Sequence, residues 1–342
     1  MAYKSADWAD VTPLAQVEGA DALFSISYDA PYAEVFGYLR AVLASGERSL
    51  RVLALTGAAV ALGPTHYTAW HVRRECLPGD AASLCGELDW LGDLVRRKGA
   101  WKNYQVWHHR RLVAERLGDV ERELVFTALA FEDDEKNYHA WAHRQWALLF
   151  RAGGCGGGGA AAGGGEGGGG AEALWEAERA FAGALLTHDV HNNSAWNHRW
   201  FTLTRGGGAP HAVAPALRPP AAAVAEEVAF SLAALRAEPR NEAAWSHLRA
   251  LVAVAAAAAG GCGMLSERGG GAAWAAWPDA LAFAAGLCGA GAPNAFALEA
   301  LAEEAEARGA AEDAATRYDA AAAADAIRED FWRERAAAAR AT

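Results

Sequence analysis

Hydrophobic residues along this chain recur at the spacing of helices. In segment 87–98, Leu88, Leu91, Leu94 and Val95 lie on one face of an amphipathic helix. Similar segments follow one another, and they pair as 32–44 with 49–62, 87–98 with 103–117, 121–132 with 137–150, 175–186 with 193–203, and 225–235 with the helix after Asn241. Residues 274–340 are rich in alanine and also favour helix. No alternating β-branched run indicates a sheet, so the sequence predicts an all-α fold.

One pattern, Asn-x-x-x-Trp-x-His-Arg, recurs five times with small changes. Its tryptophans are Trp70, Trp107, Trp141, Trp196 and Trp245. The first two spacings between them, 37 and 34 residues, match the length of a helical hairpin repeat. The pattern therefore predicts an α–α superhelix, a solenoid of antiparallel helical hairpins.

The pattern suits the start of a helix. Its Asn can cap the helix by accepting a backbone N–H from the first turn. Trp and Arg then lie on one face, where the ring can pack between hairpins and the Arg can pair with an acidic residue of the next repeat or lie over a ring. His66 replaces the first Asn and predicts a weaker cap there, while Leu248 replaces the last Arg. We interpret the shared Trp, His and Arg as structural.

Glycine-rich insertions explain the longer spacings of 55 and 49 residues. Three stretches, near 153–170, 206–220 and 255–271, have the composition of flexible loops. Without residues 153–170 the spacing of 55 returns to 37. We therefore expect a flexible N-terminal segment over 1–23 and one helical-hairpin repeat domain over 24–340, with the insertions between hairpins.

Composition narrows the class of protein. The net charge of −11 argues against a nucleic-acid-binding surface. The five cysteines lack C-x-x-C spacing and indicate free thiols in a reducing compartment. No apolar run is long enough for a transmembrane segment, and the N-terminus lacks a signal-peptide pattern. We expect a cytoplasmic location.

Differences among the copies indicate candidate chemistry. The first three have a tyrosine after the capping position, the second and third have a lysine before it, and the third adds a histidine: Tyr67, Tyr104, Tyr138, Lys102, Lys136 and His139. Unpaired N–H groups and the helix dipole make a helix N-terminus attractive to anions, so this row suits a phosphate group. The alternative is that the tyrosines cover grooves between repeats and the lysines are solvated.

The strings 102–111 (KNYQVWHHRR) and 136–146 (KNYHAWAHRQW) resemble the repeat signature of protein prenyltransferase α subunits. More narrowly, they are similar to the α subunit shared by protein farnesyltransferase and protein geranylgeranyltransferase type I. Supporting stretches lie at 38–43, 47–49, 67–74, 192–196 and 327–332, and the resemblance covers roughly residues 24 to 335.

The resemblance implies a helical chain wrapped around a separate β subunit, in an obligate heterodimer. Such an enzyme transfers a farnesyl or geranylgeranyl group from its diphosphate to the cysteine thiol of proteins that end in a CaaX sequence. The catalytic zinc is bound by the β subunit and not by this chain, and Mg²⁺ can accompany the diphosphate. The choice of isoprenoid also belongs to the β subunit.

The resemblance also implies roles for individual residues. By position, Lys102 matches the lysine that contacts the diphosphate, and Tyr138 and His139 match residues near it; these three are the catalytic candidates. The substrate-binding candidates are Tyr104 at the rim, Gln105 at the carboxylate of the peptide, and Tyr67 beside the pocket for its last residue.

Three other interpretations compete with this one. A Rab geranylgeranyltransferase α subunit shares the repeat but has a different sequence around the lysine. A non-catalytic tetratricopeptide-like scaffold has the period, but its Trp-x-x-Leu-Gly-x-x-Tyr pattern is absent here. A zinc site at His139 and His143 has suitable spacing but no accompanying Glu, and His143 belongs to the repeat.

Overall fold

The computed structural model describes residues 6–17, 19, 21–24, 26–152, 169–205, 219–258, 274–289 and 293–341. These ranges contain fifteen α-helices and no strand. The helices are α1 (Ala30–Ser45), α2 (Leu50–Leu62), α3 (Tyr67–Cys76), α4 (Ala81–Lys98), α5 (Tyr104–Leu117), α6 (Glu121–Asp133), α7 (Tyr138–Arg151), α8 (Gly169–His188), α9 (Asn193–Arg205), α10 (Ala221–Ala237), α11 (Glu242–Ala258), α12 (Pro278–Gly289), α13 (Ala295–Ala307), α14 (Ala311–Ala324) and α15 (Glu329–Arg340). The predicted all-α class is confirmed.

Successive helices pack as hairpins. The pairs predicted from the sequence, α1–α2, α4–α5, α6–α7, α8–α9 and α10–α11, all pack together, and α2 also packs against α3. Helix α4 begins at Ala81, earlier than predicted, because Asp80 caps it by accepting the N–H of Ser83 at 2.9 Å. The chain divides into two compact units: the first ends at Arg151, and the residues described from Gly169 onward belong to the second.

One part of the segment 1–23 packs against the helices, and the flexibility of the rest stays a prediction. Trp8 is only 6% exposed and packs edge-on against Tyr38, with 5.3 Å between ring centroids. Arg51 lies over the Trp8 ring at 5.0 Å and pairs with Asp10 at 2.7 Å. A ring of this size gains more from burial than the short segment loses in freedom, so the described residues around Trp8 are held against α1 and α2.

The three predicted insertions lie mostly outside the described residues. At their described ends, Gly169 and Gly170 are in the first turn of α8, and Ala255–Ala258 complete α11. Alanine has the highest helix propensity, which accounts for the extension of α11. The flexibility of the insertions and the single repeat domain over 24–340 stay predictions. Among the described residues, no helix is both long and apolar enough to cross a bilayer.

Each patterned tryptophan bonds to the turn before its own helix. The indole N–H donates to the carbonyl six residues earlier, at 2.7–2.8 Å in all five copies. All five rings are at most 6% exposed. The tryptophan therefore both fills the core and fixes the turn that precedes the helix.

The capping asparagine ties neighbouring repeats together. Asn137 accepts the N–H groups of His139 and Ala140 at 3.0 and 3.3 Å, and its amide donates to the carbonyl of Trp101 at 3.1 Å. That carbonyl also accepts the indole N–H of Trp107. Its two lone pairs thus bind one residue from each of two neighbouring repeats. Asn241 makes the same bond to the carbonyl of Val190 at 2.7 Å.

The C-terminal part keeps one member of the pattern that sequence reasoning missed. Asn294 caps α13, accepting the N–H groups of Phe296 and Ala297 at 3.0 and 3.2 Å. Its amide donates to the carbonyl of Pro239, which Trp245 also uses. Leu298 stands where the tryptophan would be. This repeat therefore retains the link to its predecessor without the indole.

A buried carboxylate joins the Arg of one repeat to the His of the next. Arg110 on α5 donates to Glu123 on α6 through Nε at 2.7 Å and Nη2 at 2.9 Å, and His143 Nε2 on α7 lies 2.6 Å from the same carboxylate. Arg110 also lies 3.6 Å over the Phe126 ring. The sequence predicted either an acidic partner or a ring for this Arg, and the structure has both. The same triad forms at Arg73, Glu87 and His109 and at Arg199, Glu227 and His247.

The triad keeps two charges and one neutral ring at neutral pH. Burial alone would raise the pKa of Glu123, but the hydrogen bond from His143 and the charge of Arg110 outweigh burial and hold this pKa below its ordinary value. Burial lowers the pKa of His143. Both folded-state pKa values lie below the ordinary values, which are 6.5 for His143 and 4.5 for Glu123. The stabilisation from each group is therefore fully present above pH 6.5 and pH 4.5, respectively, and is lost as the pH falls below that value.

We predict that Glu123→Ala lowers the free energy of unfolding by about 3–5 kcal/mol, because Arg110 and His143 lose their buried partner. Asp93→Ala is the control. It removes the pair between Asp93 and Arg96, whose side chains are 60% and 54% exposed, and we expect a change within about 0.5 kcal/mol. Urea unfolding measures both. A loss below about 1 kcal/mol for Glu123→Ala would contradict a central role for the triad.

The last repeat replaces the triad by a different buried cluster. Where Leu248 stands in place of the Arg, the next residue, Arg249, pairs with Glu299 at 2.9 Å and also with Glu303. Glu299 is 3% exposed. Its burial, opposed by Arg249 and reinforced by the charge of Glu303, raises its pKa to about 7. The folded chain therefore binds this proton more tightly than the unfolded chain does.

We predict that Glu299→Gln gains stability relative to the wild type as pH rises. The proton-linked stabilisation by Glu299 is complete below pH 4.5 and is lost as pH rises through about 7, so the variant should gain roughly 1–3 kcal/mol between pH 5 and pH 8. Urea midpoints at the two pH values measure the gain. The control Glu242→Gln changes a carboxylate that is 59% exposed and should show no such trend. A pH-independent difference for Glu299→Gln would refute the assignment.

Candidate functional site

Three helix N-termini of the first unit each present an exposed tyrosine. Tyr67, Tyr104 and Tyr138 are the first residues of α3, α5 and α7 and are 59%, 53% and 78% exposed. The residue before each one caps the helix. His66 does so through Nδ1, which accepts the N–H of Ala69 at 3.2 Å, so the imidazole takes the place of the asparagine amide.

The first two tyrosines meet across neighbouring repeats. The hydroxyls of Tyr67 and Tyr104 are 2.6 Å apart. The hydrogen bond with Tyr104 raises the pKa of Tyr67, and a weaker bond with the Gln105 side chain opposes this. Gln105 is only 7% exposed. Tyr67 is therefore the more accessible of the two candidates, and the contact of Gln105 with a peptide carboxylate stays a prediction.

The row of rings continues to the third repeat. The centroids of Tyr104 and His139 are 6.3 Å apart, and those of Tyr138 and His139 are 5.7 Å apart. Burial lowers the pKa of His139, so its imidazole is neutral at physiological pH. The structure therefore brings four of the predicted site residues, Tyr67, Tyr104, His139 and Tyr138, into one continuous edge of the first unit.

Lys102 is linked to the same edge by an ion pair with Asp134, a residue that the sequence analysis did not single out. It ends a short 3-10 turn, Ala100–Lys102, and its side chain is 74% exposed with Nζ 3.0 Å from Oδ2 of Asp134. The other oxygen of Asp134 accepts the N–H of Lys136 at 2.9 Å. The bond from Lys102, followed by the bond from the Lys136 N–H, lowers the pKa of Asp134.

The turn around Asp134 fixes Lys102 at two points. Asp134 holds the amine, and Asn137 in the same turn holds the carbonyl of Trp101, the residue before Lys102. The turn also leads directly into Tyr138 and His139. A sequence signal was available: the spacing Asp-x-x-Asn occurs at 134–137 and again at 189–192, where Asp189 accepts the N–H of His191 at 2.9 Å.

The chemistry of this edge is that of an anion site with hydrogen-bond donors. It combines an amine, phenol hydroxyls, a neutral imidazole and the N-terminal ends of α5 and α7. His139 and His143 do not share a metal site, because His143 is bonded to Glu123 in the core. Within the described ranges, no group of three or more His, Cys, Asp or Glu residues could hold a metal ion.

A protein-family model described as "Protein prenyltransferase alpha subunit repeat" matches residues 86–117, 120–151, 175–206 and 224–254. These matches coincide with the hairpins α4–α5, α6–α7, α8–α9 and α10–α11. The repeat predicted from the tryptophan spacing is thereby confirmed.

Curated relatives agree with the repeat match. The chain is 39% identical over 247 residues to the protein farnesyltransferase/geranylgeranyltransferase type-1 subunit alpha of Pisum sativum, covering 72% of this chain and 65% of that protein. The protein of the same name from Dictyostelium discoideum is 33% identical over 254 residues, covering 72% of this chain and 70% of that protein. The geranylgeranyl transferase type-2 subunit alpha of Rattus norvegicus is 29% identical over 219 residues, 61% of this chain and 35% of that protein.

A solved structure shares the fold over almost the whole chain. It is described as Candida albicans protein geranylgeranyltransferase-I complexed with GGPP, and the match has a TM-score of 0.73 at 22% identity, covering 98% of this chain and 99% of that one. With the repeat match and the identity to the Dictyostelium protein, the family is clear: this chain belongs to the α subunits shared by protein farnesyltransferase and protein geranylgeranyltransferase type I.

Proposed function

We propose that this chain is the α subunit of a cytoplasmic, heterodimeric protein prenyltransferase that is active only with a β subunit. The enzyme transfers a farnesyl or geranylgeranyl group from its diphosphate to the cysteine thiol of proteins ending in a CaaX sequence. The observation that carries the proposal is the edge in which Lys102, Tyr104, Tyr138 and His139 are held together at the N-termini of α5 and α7. The chain spans 65% of the length of its Pisum relative.

The edge suits a leaving diphosphate. As the bond between C1 of the isoprenoid and the diphosphate oxygen breaks, negative charge grows on that oxygen. Lys102 supplies a fixed positive charge there, and the N-termini of α5 and α7 supply aligned dipoles. His139 is neutral, so it donates a hydrogen bond without adding charge. We assign Tyr138 to the same diphosphate.

The peptide end of the site lies with the first two tyrosines in this proposal. Tyr67, supported by Gln105 and Tyr104, borders the pocket for the last residue of the CaaX sequence. Zinc, which we assign to the β subunit, would make the substrate cysteine a thiolate; Mg²⁺ would accompany the diphosphate. The residues described in this chain act on the leaving group and the peptide terminus.

Reconstitution tests the proposal. The chain is co-expressed with a type I or farnesyltransferase β subunit and given farnesyl or geranylgeranyl diphosphate with a CaaX peptide. We expect prenyl transfer by the heterodimer and none by either chain alone. Transfer only to Rab substrates would favour the type II enzyme, and no transfer with any β subunit would favour a scaffold; either result overturns the proposal.

We predict that Lys102→Ala slows the single-turnover transfer step by roughly 10- to 1,000-fold, because it removes a preorganised charge from the leaving group. Heterodimer formation and peptide binding should survive, since the side chain is 74% exposed. Lys136→Ala, which removes the lysine at the same position of the next repeat, should do much less. Equal effects of the two substitutions, or no effect at Lys102, would remove the assigned role.

We also predict that Asp134 positions Lys102. Asp134→Asn keeps an oxygen for the N–H of Lys136 but removes the charge that holds the amine, so single-turnover transfer should fall by roughly 3- to 10-fold. In the Lys102→Ala background the same substitution should have no further effect. Asp189→Asn, in the corresponding turn before α9, is the control and should leave the rate unchanged. A loss of the same size with and without Lys102 would show that Asp134 only supports the turn.

A further inference from the structure

A groove of about 480 Å³ lies between α3 and α5 of the first unit. Leu112 and Val113 form its apolar part, and its rim is charged: His71, Arg74, Glu75, Glu115 and Arg116. The groove lies on the same two helices whose first residues are Tyr67 and Tyr104. It is nevertheless separate from them: seven residues along α3 from Tyr67 to Arg74 correspond to about 10 Å.

The other charged groups of the rim have partners within the chain. Glu75 pairs with Arg48 at 2.7 Å and with His71 at 3.4 Å. Glu115 pairs with Arg111 at 2.9 Å. Arg116 donates to the carbonyls of Leu77 and Pro78, at 3.2 and 3.4 Å. These charges are therefore satisfied before anything enters the groove.

Arg74 differs from the rest of the rim. Its Nη1 is buried and has no hydrogen-bond partner in the described part of the chain. Burial lowers its pKa, and the nearby charge of Glu75 compensates only in part. The exposed His108 and the guanidinium of Arg111 lie nearby on α5, and after burial the charges of Arg74 and Arg111 further lower the pKa of His108. A half-buried guanidinium with an idle N–H group is costly unless an acceptor arrives.

The next repeat shows why Arg74 lacks a partner. Arg111 occupies the same register, since Arg73 and Arg110 are the equivalent triad residues before them. Arg111 finds Glu115 four residues later on its own helix and lies 5.2 Å over the Trp146 ring. Four residues after Arg74 stands Pro78, beyond the end of α3 at Cys76. The short third helix thus leaves Arg74 without the intrahelical partner that Arg111 has.

We propose that this groove receives an Asp or Glu side chain of the β subunit, which pairs with Arg74. The inference rests on the proposed function, because a β subunit that completes the site at Tyr67 and Tyr104 must lie against these helices. The guanidinium fork matches a carboxylate in two parallel hydrogen bonds. Glu75 and Glu115 flank the groove and repel a dianionic phosphate more strongly than a single carboxylate.

Three dissociation constants test the proposal. The wild-type chain, Arg74→Gln and the matched control Arg111→Gln are each titrated with the cognate β subunit, and the dissociation constant of the heterodimer is measured. We expect Arg74→Gln to weaken association at least about 10-fold, because it leaves the partner carboxylate buried and unpaired. Arg111→Gln should stay within about threefold, because the charge it removes is already paired within the chain.

The stability of the isolated chain separates docking from folding. Among the described residues Arg74 has no hydrogen-bond partner to lose, so the melting temperature of isolated Arg74→Gln should equal or exceed that of the wild type. Equal weakening by both substitutions, an unchanged dissociation constant for Arg74→Gln, or a melting temperature lowered by more than about 4 °C would overturn the inference. An Arg74-dependent dimer of the isolated chain, or saturable binding of inorganic phosphate at Arg74, would overturn it as well.

The same titration distinguishes this inference from the proposed function. A wild-type chain that fails to bind any prenyltransferase β subunit refutes the proposed function. A wild-type chain that binds and supports transfer, with Arg74→Gln equally tight, refutes only the docking of a carboxylate at Arg74.

Discussion

The stacking of the repeats depends on carboxylates that are buried between them. Glu87, Glu123 and Glu227 each lie on the first helix of a hairpin and take an Arg from the hairpin before and a His from their own. An ion in the core is unfavourable unless all its acceptor sites are used. In the observed placement of neighbouring hairpins, the Arg fork, the imidazole and the aromatic ring are all satisfied together. We infer that the triad fixes the register of neighbouring hairpins, because a shifted register would leave a buried charge without its partner.

The residues that hold the repeats together also determine which positions are available for a functional site. Where the repeats have the Asn, Trp, His and Arg of the pattern, these residues make contacts in the core and with the neighbouring repeats. The residues immediately around the capping Asn stand at the exposed N-terminus of a helix. Lys102, Tyr104, Tyr138 and His139 occupy these positions in successive repeats, so the distances between them follow from the stacking. The proposed function therefore rests on residues that the frame leaves free.

Much of the fold could be predicted from the sequence because its signals are local. The period of the tryptophans, the capping Asn and the helix pairs depend on residues within one turn or one hairpin. Glu123 could not be assigned in this way, because its partners lie 13 and 20 residues away and nothing in a single sequence marks that pairing. For Asp134 the Asp-x-x-Asn spacing indicates the turn, but its pairing with Lys102 in the preceding repeat has no signal in a single sequence. The packing of Trp8 against Tyr38 was not predicted either, because the two residues lie 30 positions apart in the sequence.

One backbone carbonyl accepts hydrogen bonds from a tryptophan and from the capping asparagine of the next repeat. This shared acceptor allows the chain between repeats to vary in length. The bond from Asn137 to Trp101 spans 36 residues, and the bond from Asn241 to Val190 spans 51. Closing the longer segment costs only about 0.3 kcal/mol more in chain entropy. The bond between neighbouring repeats is therefore the same whether 36 or 51 residues separate its two ends. Segments of new sequence can therefore be inserted between hairpins, and lost again, while the surfaces that the repeats build together stay in register.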